Sequence, residues 1–313
     1  MAELNLLKID GKPLEKLIEV ISNGIGTLYK PRAIRKEAES KAYEIELIER
    51  AKNKAISEGK LIEVETIDRV QGRILHKELR RQENIDDIFQ IAVEQLSQEE
   101  NVSDEQVDED WTTRFFNIAE DISDDEMQQL WGRILAGEVK QPKSYSLRTL
   151  ELLKNLSKHE AEVFSRASNF VITSFNSPFL FRGKSDEILG KYNFTFEDKL
   201  LLTETGLLQA ESNITRQLIQ NPSDQLIYFT SRKFVIKVLK KGDTEDNRIE
   251  IIRFTKIGEE LLKLIMPNPS KDYIKDFCLR LEEFNLEVEY AYILKENSGG
   301  TISHTQPWIK FEK

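Results

Sequence analysis

Apolar residues recur every three or four positions through the first part of the chain, the spacing of one face of an α-helix. The first series consists of Leu14, Leu17, Ile18, Ile21 and Ile25. A second helix is predicted from Pro31, which suits a first helical turn, to Gly59, which favours a helix end. A third helix is predicted from about Lys60 to Arg81, and a fourth begins at Asn84, a good capping residue.

The segment SDDEMQQLWGRILAGEV predicts a capped helix rather than an acidic site. Ser123 is followed three residues later by Glu126, the spacing of a capping box in which each side chain bonds the other's backbone N–H. Trp131 lies on the apolar stripe of this helix, and Gly137 is placed to end it. With the aromatic residues of the preceding helix, Trp131 is expected to form the core that joins the domains; those residues are Trp111, Phe115 and Phe116.

The pattern changes after the helical segment SLRTLELLKNLSKHEAEVF, where aromatic and β-branched runs alternate with turn residues. FVIKVLKK and RIEIIRFT are predicted as two strands joined by a polar loop, with helices capped by Thr255 and Ser270 after them. The segment FTFEDKLLLTETGLLQ resembles a helix–turn–helix, and FTKIGEEL resembles the final helix of winged-helix domains. In that interpretation, Gly258 permits close approach to the wing.

These patterns predict a mainly α protein with a smaller α+β part. Residues 1–145 are expected to form a helical domain and residues 146–313 a winged-helix-like α+β domain. The length of 313 residues agrees with two domains. The acidic link EENVSDEQVDED between two helices is expected to be a solvated loop.

Charge and cysteine content narrow the class of protein. The net charge is −10, and because acidic and basic residues balance from Ser146 onward, the excess lies in the helical domain. This charge opposes non-specific binding to nucleic acid or to anionic lipid. The single cysteine, Cys278, excludes an internal disulfide. With no signal peptide and no apolar run of membrane-spanning length, a cytoplasmic location is expected.

The sequence contains no motif that carries catalysis or cofactor binding. It lacks a phosphate-binding P-loop, a dinucleotide-binding glycine motif, a nucleophile elbow and a zinc-binding histidine or cysteine pair. Catalytic, cofactor-binding and metal-binding residues are therefore all predicted to be absent. A phosphodiesterase site made of acids and a lysine is the enzyme alternative that stays open, although no clean Glu-x-Lys triplet lies on a plausible central strand.

Two segments carry a resemblance to known families. SDDEMQQLWGRILAGEV followed by SYSLRTLELLKNLSKHEAEVF resembles the bacterial abortive-infection alpha family, in which a helix with the pattern LWxxLLA precedes a second helix. Together with ISNGIGTLYKPRAIRKEAESKAYE, it is more closely similar to domain-of-unknown-function family 2806, from Leu14 to about Ile265. The resemblance implies a role in bacterial defence against phage and transfers no catalytic residue.

We therefore expect a non-enzymatic sensor or signal-relaying scaffold that contacts a defence-system component or a phage factor. A homo-oligomer is a further possibility. Two alternatives stay open. A winged-helix regulator would contact DNA through wing residues Arg232, Lys233, Lys237, Lys240 and Lys241. A membrane-associated effector would use the apolar face of the first helix, which lysines flank.

Overall fold

The computed structural model describes residues 12–26, 50–54, 56–59, 61–97, 99, 101–183, 187–211, 214–220, 226–240, 248–284, 286–296 and 301–311. The chain divides into two compact units at Leu150/Glu151. Most of the predicted second helix, from Pro31, lies outside the described residues. Its end at Gly59 is described, and the positive φ of +69° there fits the predicted helix end.

The first unit is helical. Its helices are α1 (Lys12–Ile25), α2 (Leu61–Leu96), α3 (Glu109–Ala119), α4 (Asp125–Lys140) and α5 (Leu147–Asn155), which crosses the boundary. Phe115 lies at the centre of the core, with its ring centroid 5.0 Å from that of Trp111 and 5.1 Å from that of Trp131. The prediction that Trp131 is buried is confirmed, because its side chain has no exposed surface.

Helix α2 is continuous through Asn84, so the prediction of two separate helices with Asn84 as a cap is wrong. The Asn84 side chain instead donates to the carbonyl of Glu120 at 2.8 Å and to Ser123 Oγ at 3.2 Å. Its amide oxygen accepts from Gln128 Nε2 at 3.3 Å. A residue that looked like a local cap is thus satisfied by groups from a distant loop and from α4.

The predicted capping box at Ser123 and Glu126 is also wrong. Asp124 is the cap of α4, with extended backbone and a carboxylate that accepts from the N–H of Met127 at 3.0 Å. Ser123 lies one residue earlier and bonds Asn84, while Glu126 is exposed. The helix also continues past Gly137 to Lys140, since Gly137 lies close to the ring of Tyr145 instead of ending the helix.

An ionic contact also joins the 120–123 loop to α2. Arg81 Nε donates to Asp121 Oδ1 at 2.9 Å, Nη2 donates to Asp121 Oδ2 at 3.1 Å, and Nη2 lies 3.1 Å from a carboxylate oxygen of Glu120. The hydrogen bond from Arg81 holds the pKa of Asp121 below its usual value, whereas burial raises the pKa of Glu120. We call this set, together with Asn84 and Gln128, the clasp.

Residues 64–83 form a long part of α2, most of it N-terminal to the clasp, in which no side chain is buried; we call it the arm. None of its side chains is buried, whereas the following residues, from Asn84 onward, enter the core. At 1.5 Å per residue, the arm is about 30 Å long. A helical segment at 50–54 runs beside it, and Lys52 forms an ion pair with Asp68 at 2.7 Å.

The described part of the acidic link is a loop up to Asp108, as predicted, whereas its last two residues, Glu109 and Asp110, form the first turn of α3. Lysines tether this loop. Lys16 Nζ donates to the carbonyls of Ser103 at 2.8 Å and Glu105 at 2.7 Å, and Lys12 pairs with Asp104. Burial lowers the pKa of Lys16. Lysines on α1 are therefore occupied by contacts inside the unit.

The second unit is an α+β structure built on a sheet. Its helices are α6 (Lys158–Ser168), α7 (Glu187–Lys191), α8 (Phe196–Glu204), α9 (Lys256–Leu262) and α10 (Lys271–Glu282). Its strands are β1 (Val171–Ser174), β2 (Ser177–Phe181), β3 (Thr215–Gln217), β4 (Leu226–Ser231), β5 (Phe234–Lys240), β6 (Arg248–Arg253), β7 (Leu286–Glu296) and β8 (Ile302–His304).

These strands form one antiparallel sheet in the order β3-β6-β2-β1-β4-β5-β7-β8. The prediction of a mainly α fold with a winged helix is therefore wrong. The two strands assigned to the wing, β5 and β6, are not neighbours: β5 pairs with β4 and β7, and β6 pairs with β2 and β3. Helix α8 leads into a bridge between Leu208 and Phe254, where the helix–turn–helix interpretation required a second helix.

One face of the sheet, which we call the inner face, packs against α10. Phe277 lies with its ring centroid 5.0 Å from that of Phe181 and 5.5 Å from that of Phe229. Tyr273, fully buried on the same helix, donates to the carbonyl of Phe170 at 2.9 Å. The caps predicted at Thr255 and Ser270 are confirmed, since each hydroxyl accepts a backbone N–H three residues on at 3.1 Å.

Candidate interaction surface

The structure separates the basic residues that were predicted to contact nucleic acid. Lys237 forms an ion pair with Glu289 at 2.5 Å and lies 4.6 Å from the ring centre of Trp308. Lys233 donates to Asn268 at 2.5 Å. Lys240 lies three residues after Lys237 on β5 and therefore on the other face of the sheet. Lys241 lies outside the described residues. The described lysines and Arg232 do not form one cationic surface.

The apolar face predicted on the first helix is packed within the first unit. Leu17 and Ile21 have no exposed surface, and Leu14, Ile18 and Ile25 are half-buried. Helix α1 contacts α2, α3 and α4. Gly24 lies so close to α3 that an added Cβ would be 2.1 Å from a ring carbon of Phe116. This face is therefore part of the core of the first unit. The apolar surface that the membrane-associated alternative required is not exposed on α1.

The sheet of the second unit carries a cavity of about 500 Å³ on its outer face. Alternation along β1 places Ile172 on the inner face and Val171 and Thr173 on the outer face, where they line the cavity. Helix α9 forms another wall with Leu262. The remaining lining residues are Asn176, Pro178, Arg232, Glu259, Lys263, Pro267 and Glu296.

The lining of this cavity combines apolar and charged residues. Val171, Pro178, Leu262 and Pro267 contribute apolar surface, while the charged residues come from α9, the β4–β5 turn and the end of β7. Arg232 is exposed and makes no hydrogen bond or ion pair with the part of the chain that the structure describes. Its guanidinium is thus available to an acidic group or carbonyl on a bound molecule.

A strained turn holds an exposed aromatic ring beside the cavity. Phe175 and Asn176 are the two central residues of the β1–β2 hairpin, and both have positive φ, at 48° and 57°. This combination defines a type I′ turn, which normally takes Asn or Gly at both positions. Phenylalanine is uncommon in that conformation, and its side chain is 65% exposed. The turn therefore keeps a large apolar side chain in water against its local preference.

Two further exposed apolar side chains belong to segments that line the cavity. Met266 is 75% exposed and precedes Pro267, while Leu294 is 69% exposed and lies two residues before Glu296. Exposed apolar groups in segments that also line a concave surface with charged residues are typical of protein-binding sites. We call the cavity together with Phe175, Met266 and Leu294 the outer-face site.

Sequence reasoning identified Arg232 in this site and missed its other residues. SFNS between two β-rich runs carries an Asn suited to a turn, and that signal places Phe175 at a hairpin tip. No local signal connects that tip with Met266 and Leu294, since they come from separate segments. Among the described residues, no group of three or more His, Cys, Asp or Glu is arranged to hold a metal ion.

None of the described helices combines the length with the apolarity that a membrane span requires.

Comparisons with curated proteins and with solved structures gave no significant match. A family model described as "Protein of unknown function (DUF2806)" matches residues 68–278, which is more than half of the 313 residues and includes most of the arm, the clasp and much of the sheet. The chain therefore belongs to the DUF2806 family.

Proposed function

We propose that this protein is a non-enzymatic sensor or signal relay of bacterial anti-phage defence, acting in the cytoplasm through protein–protein contact at the outer-face site. The partner is a defence-system component or a phage factor that inserts an apolar side chain into the cavity. A carboxylate or carbonyl beside that side chain pairs with Arg232.

The observation that carries the proposal is Phe175 at the hairpin tip. A bulky residue in the left-handed region costs on the order of 1–3 kcal/mol, a cost that local structure does not repay when the ring stays in water. Burial of the ring against a partner would recover about 2 kcal/mol of apolar transfer free energy. The assignment to defence is supported separately, by the resemblance of the α4–α6 sequence to the abortive-infection alpha family.

The variant Phe175→Asn tests the site without harming the fold. Asn adopts positive φ more readily than Phe, so the melting temperature is expected to stay the same or rise. In cells that carry the native locus, we expect protection against phage, measured as plating efficiency, to fall at least about tenfold, the factor by which loss of about 1.4 kcal/mol of binding free energy weakens a complex. Deletion of the gene should remove protection completely.

Phe196→Asn is the matched control. Phe196 is also 65% exposed, but it lies at the start of α8 and does not line the cavity. Cells with this variant should be protected like wild type. Equal protection by Phe175→Asn and wild type would contradict the role of the outer-face site, and a gene deletion that leaves plating unchanged for every phage in a panel would refute the role in defence.

A further inference from the structure

The arm carries a row of basic residues on one side, which we call the basic stripe. Its members recur every three or four positions and all are exposed: Arg69, Arg73, Lys77 and Arg80. At about 100° of rotation per residue, they fall within an arc of about 80°. The half-buried side chains of residues 64–78 lie on the opposite side of the helix; they are Val64, Ile67, Gln71, Ile74 and Glu78. The fold therefore covers one side of the arm and leaves the basic stripe in solvent.

The charges within the basic stripe repel one another. The neighbours of Arg73 at three and four positions along the helix are Arg69, Val70, His76 and Lys77, and none of them is acidic. An acid four residues from a base stabilises an exposed helix, whereas like charges at that spacing destabilise it. The side chains of Arg73 and Lys77 form no hydrogen bond or ion pair with the part of the chain that the structure describes. Anions lying along the basic stripe would relieve this repulsion.

The acidity of the protein does not cancel the basic stripe locally. The acids on the same side of the arm, Glu65 and Glu83, lie beyond its first and last members. The net charge of −10 is spread over the whole chain, and exposed charges farther apart than a Debye length of about 8 Å are largely screened at physiological salt. The potential beside Arg73 is therefore set mainly by the basic stripe itself.

One end of the basic stripe lies near the clasp. The pKa of Asp121 is held below its usual value first by the hydrogen bond from Arg81, and the charges of Lys77 and Arg80 add to the effect. Asp121 accepts two hydrogen bonds from Arg81, at 2.9 and 3.1 Å. The basic stripe thus ends beside an acid that already has its own partner.

The composition and length of the basic stripe match a phosphate backbone. Three of its four members are arginines, whose planar guanidinium can bind a phosphate through two parallel hydrogen bonds. It extends about 16 Å along the helix, a distance over which duplex DNA presents about ten phosphates. The major groove of B-DNA, about 12 Å wide, admits a face of an α-helix, whereas that of duplex RNA is too narrow.

Single strands and lipid surfaces fit the arm less well. Proteins that bind single strands stack the bases on aromatic rings, and the arm contains no Phe, Tyr or Trp. A helix at a lipid surface directs its apolar side chains into the lipid with bases at the border. The exposed Leu75 and Leu79 lie about 120–160° around the helix from Arg73, so the arm cannot direct these leucines and the basic stripe toward the same surface.

We propose that the basic stripe of the arm binds the phosphate backbone of duplex DNA. The contact does not depend on base sequence, because phosphates are the same at every base pair. It is also independent of the outer-face site, which lies in the other unit. Each base that neutralises a phosphate releases a counterion, so the affinity falls steeply as salt is added.

Fluorescence anisotropy of a labelled DNA duplex of about 20 base pairs, titrated with the full chain, tests the proposal. For four phosphate contacts, the logarithm of the binding constant should fall against the logarithm of salt concentration with a slope of about −3.6. Arg73→Gln/Lys77→Gln removes two contacts, so the slope should fall to about −1.8 and the affinity at 50 mM salt by at least about tenfold. Glutamine is a good helix former, so helix content by circular dichroism should be unchanged and the melting temperature the same or higher.

Lys154→Gln/Lys158→Gln is the matched control. These lysines are exposed, lie four residues apart in the second unit, and give the same change in net charge. The control should keep the wild-type slope and an affinity within about threefold of wild type. Equal losses in the two double variants would overturn the role of the basic stripe, because overall charge would then explain the binding.

Two further probes test the choice of duplex DNA. A single strand of the same length should bind more weakly than the duplex, and vesicles of anionic phospholipid should not co-sediment the protein at the same salt concentration. Tighter binding of the single strand, or co-sedimentation with vesicles that Arg73→Gln/Lys77→Gln abolishes, would overturn that choice. No change in duplex anisotropy at 50 mM salt, up to high micromolar protein, would refute the proposal.

Discussion

Replacement of Trp131 by alanine is expected to lower the free energy of unfolding by roughly 3–5 kcal/mol, the range for large aromatic residues in a core. The side chain has no exposed surface and packs against Phe115 at 5.1 Å between ring centroids. Its indole N–H has no hydrogen-bond partner in the described chain, so the loss comes from packing rather than from a broken hydrogen bond. A urea titration followed by circular dichroism measures the change.

Trp131→Phe provides the graded comparison. It keeps an aromatic ring against Phe115 and leaves a smaller cavity, so its loss of stability should be clearly less than that of the alanine variant. An alanine variant that unfolds within about 1 kcal/mol of wild type would contradict the burial of Trp131 in this core, since surface substitutions usually fall in that range.

The variant Gly258→Ala is expected to cost about 2–3 kcal/mol, although alanine is the better helix former. An added Cβ would lie 2.3 Å from the carbonyl oxygen of Leu207, which is a backbone atom. That carbonyl also accepts from the N–H of Thr255 at 3.0 Å, so a shift to relieve the clash would strain the start of α9. The change is measured by the same urea titration.

Gly190→Ala is the matched control for this prediction. Gly190 is also helical, but no atom lies within 4 Å of its Cβ position in the described part of the chain. This variant should be neutral or slightly more stable than wild type. Equal losses at both glycines would show that backbone conformation, rather than the approach to Leu207, decides the effect.

Helix periodicity correctly marked helical segments in the described part of the first unit, but it failed at helix boundaries where polar residues serve distant partners. Asn84 and Ser123 have the local appearance of caps, yet they bond each other across 39 positions of sequence. A cap signal reports only the preference of the nearest backbone. The structure selects the distant partner because a buried amide must be satisfied, and Asn84 is only 4% exposed.

In the second unit, β5 and β6 were correctly predicted as strands. The prediction that they pair with each other is wrong. Alternation of apolar residues fixes which side chains share a face, and it does not fix which strands are neighbours. Between them in the sheet lie β2, β1 and β4. Phe234, Val235 and Ile236 are consecutive and buried, so β5 is covered on both faces, which a two-stranded wing does not provide.

The outer-face site shows the same limit. Arg232 was singled out for its charge, and its place in the cavity lining depends on the order of the strands and on α9. Gly258 was correctly marked as a point of close approach, but its neighbour is Leu207 instead of a wing. A sequence shows which residue types are present, whereas the spatial neighbours of each residue depend on how strands and helices pack together.

The clasp has a mechanical consequence. It fixes the base of a stiff rod, and a rod about 30 Å long amplifies small rotations at its pivot. A tilt of about 10° where Arg81 meets Asp121 would carry the far tip through about 5 Å, a distance close to one helical turn. A small movement of the 120–123 loop would thereby displace the N-terminal end of the arm, the end far from the clasp.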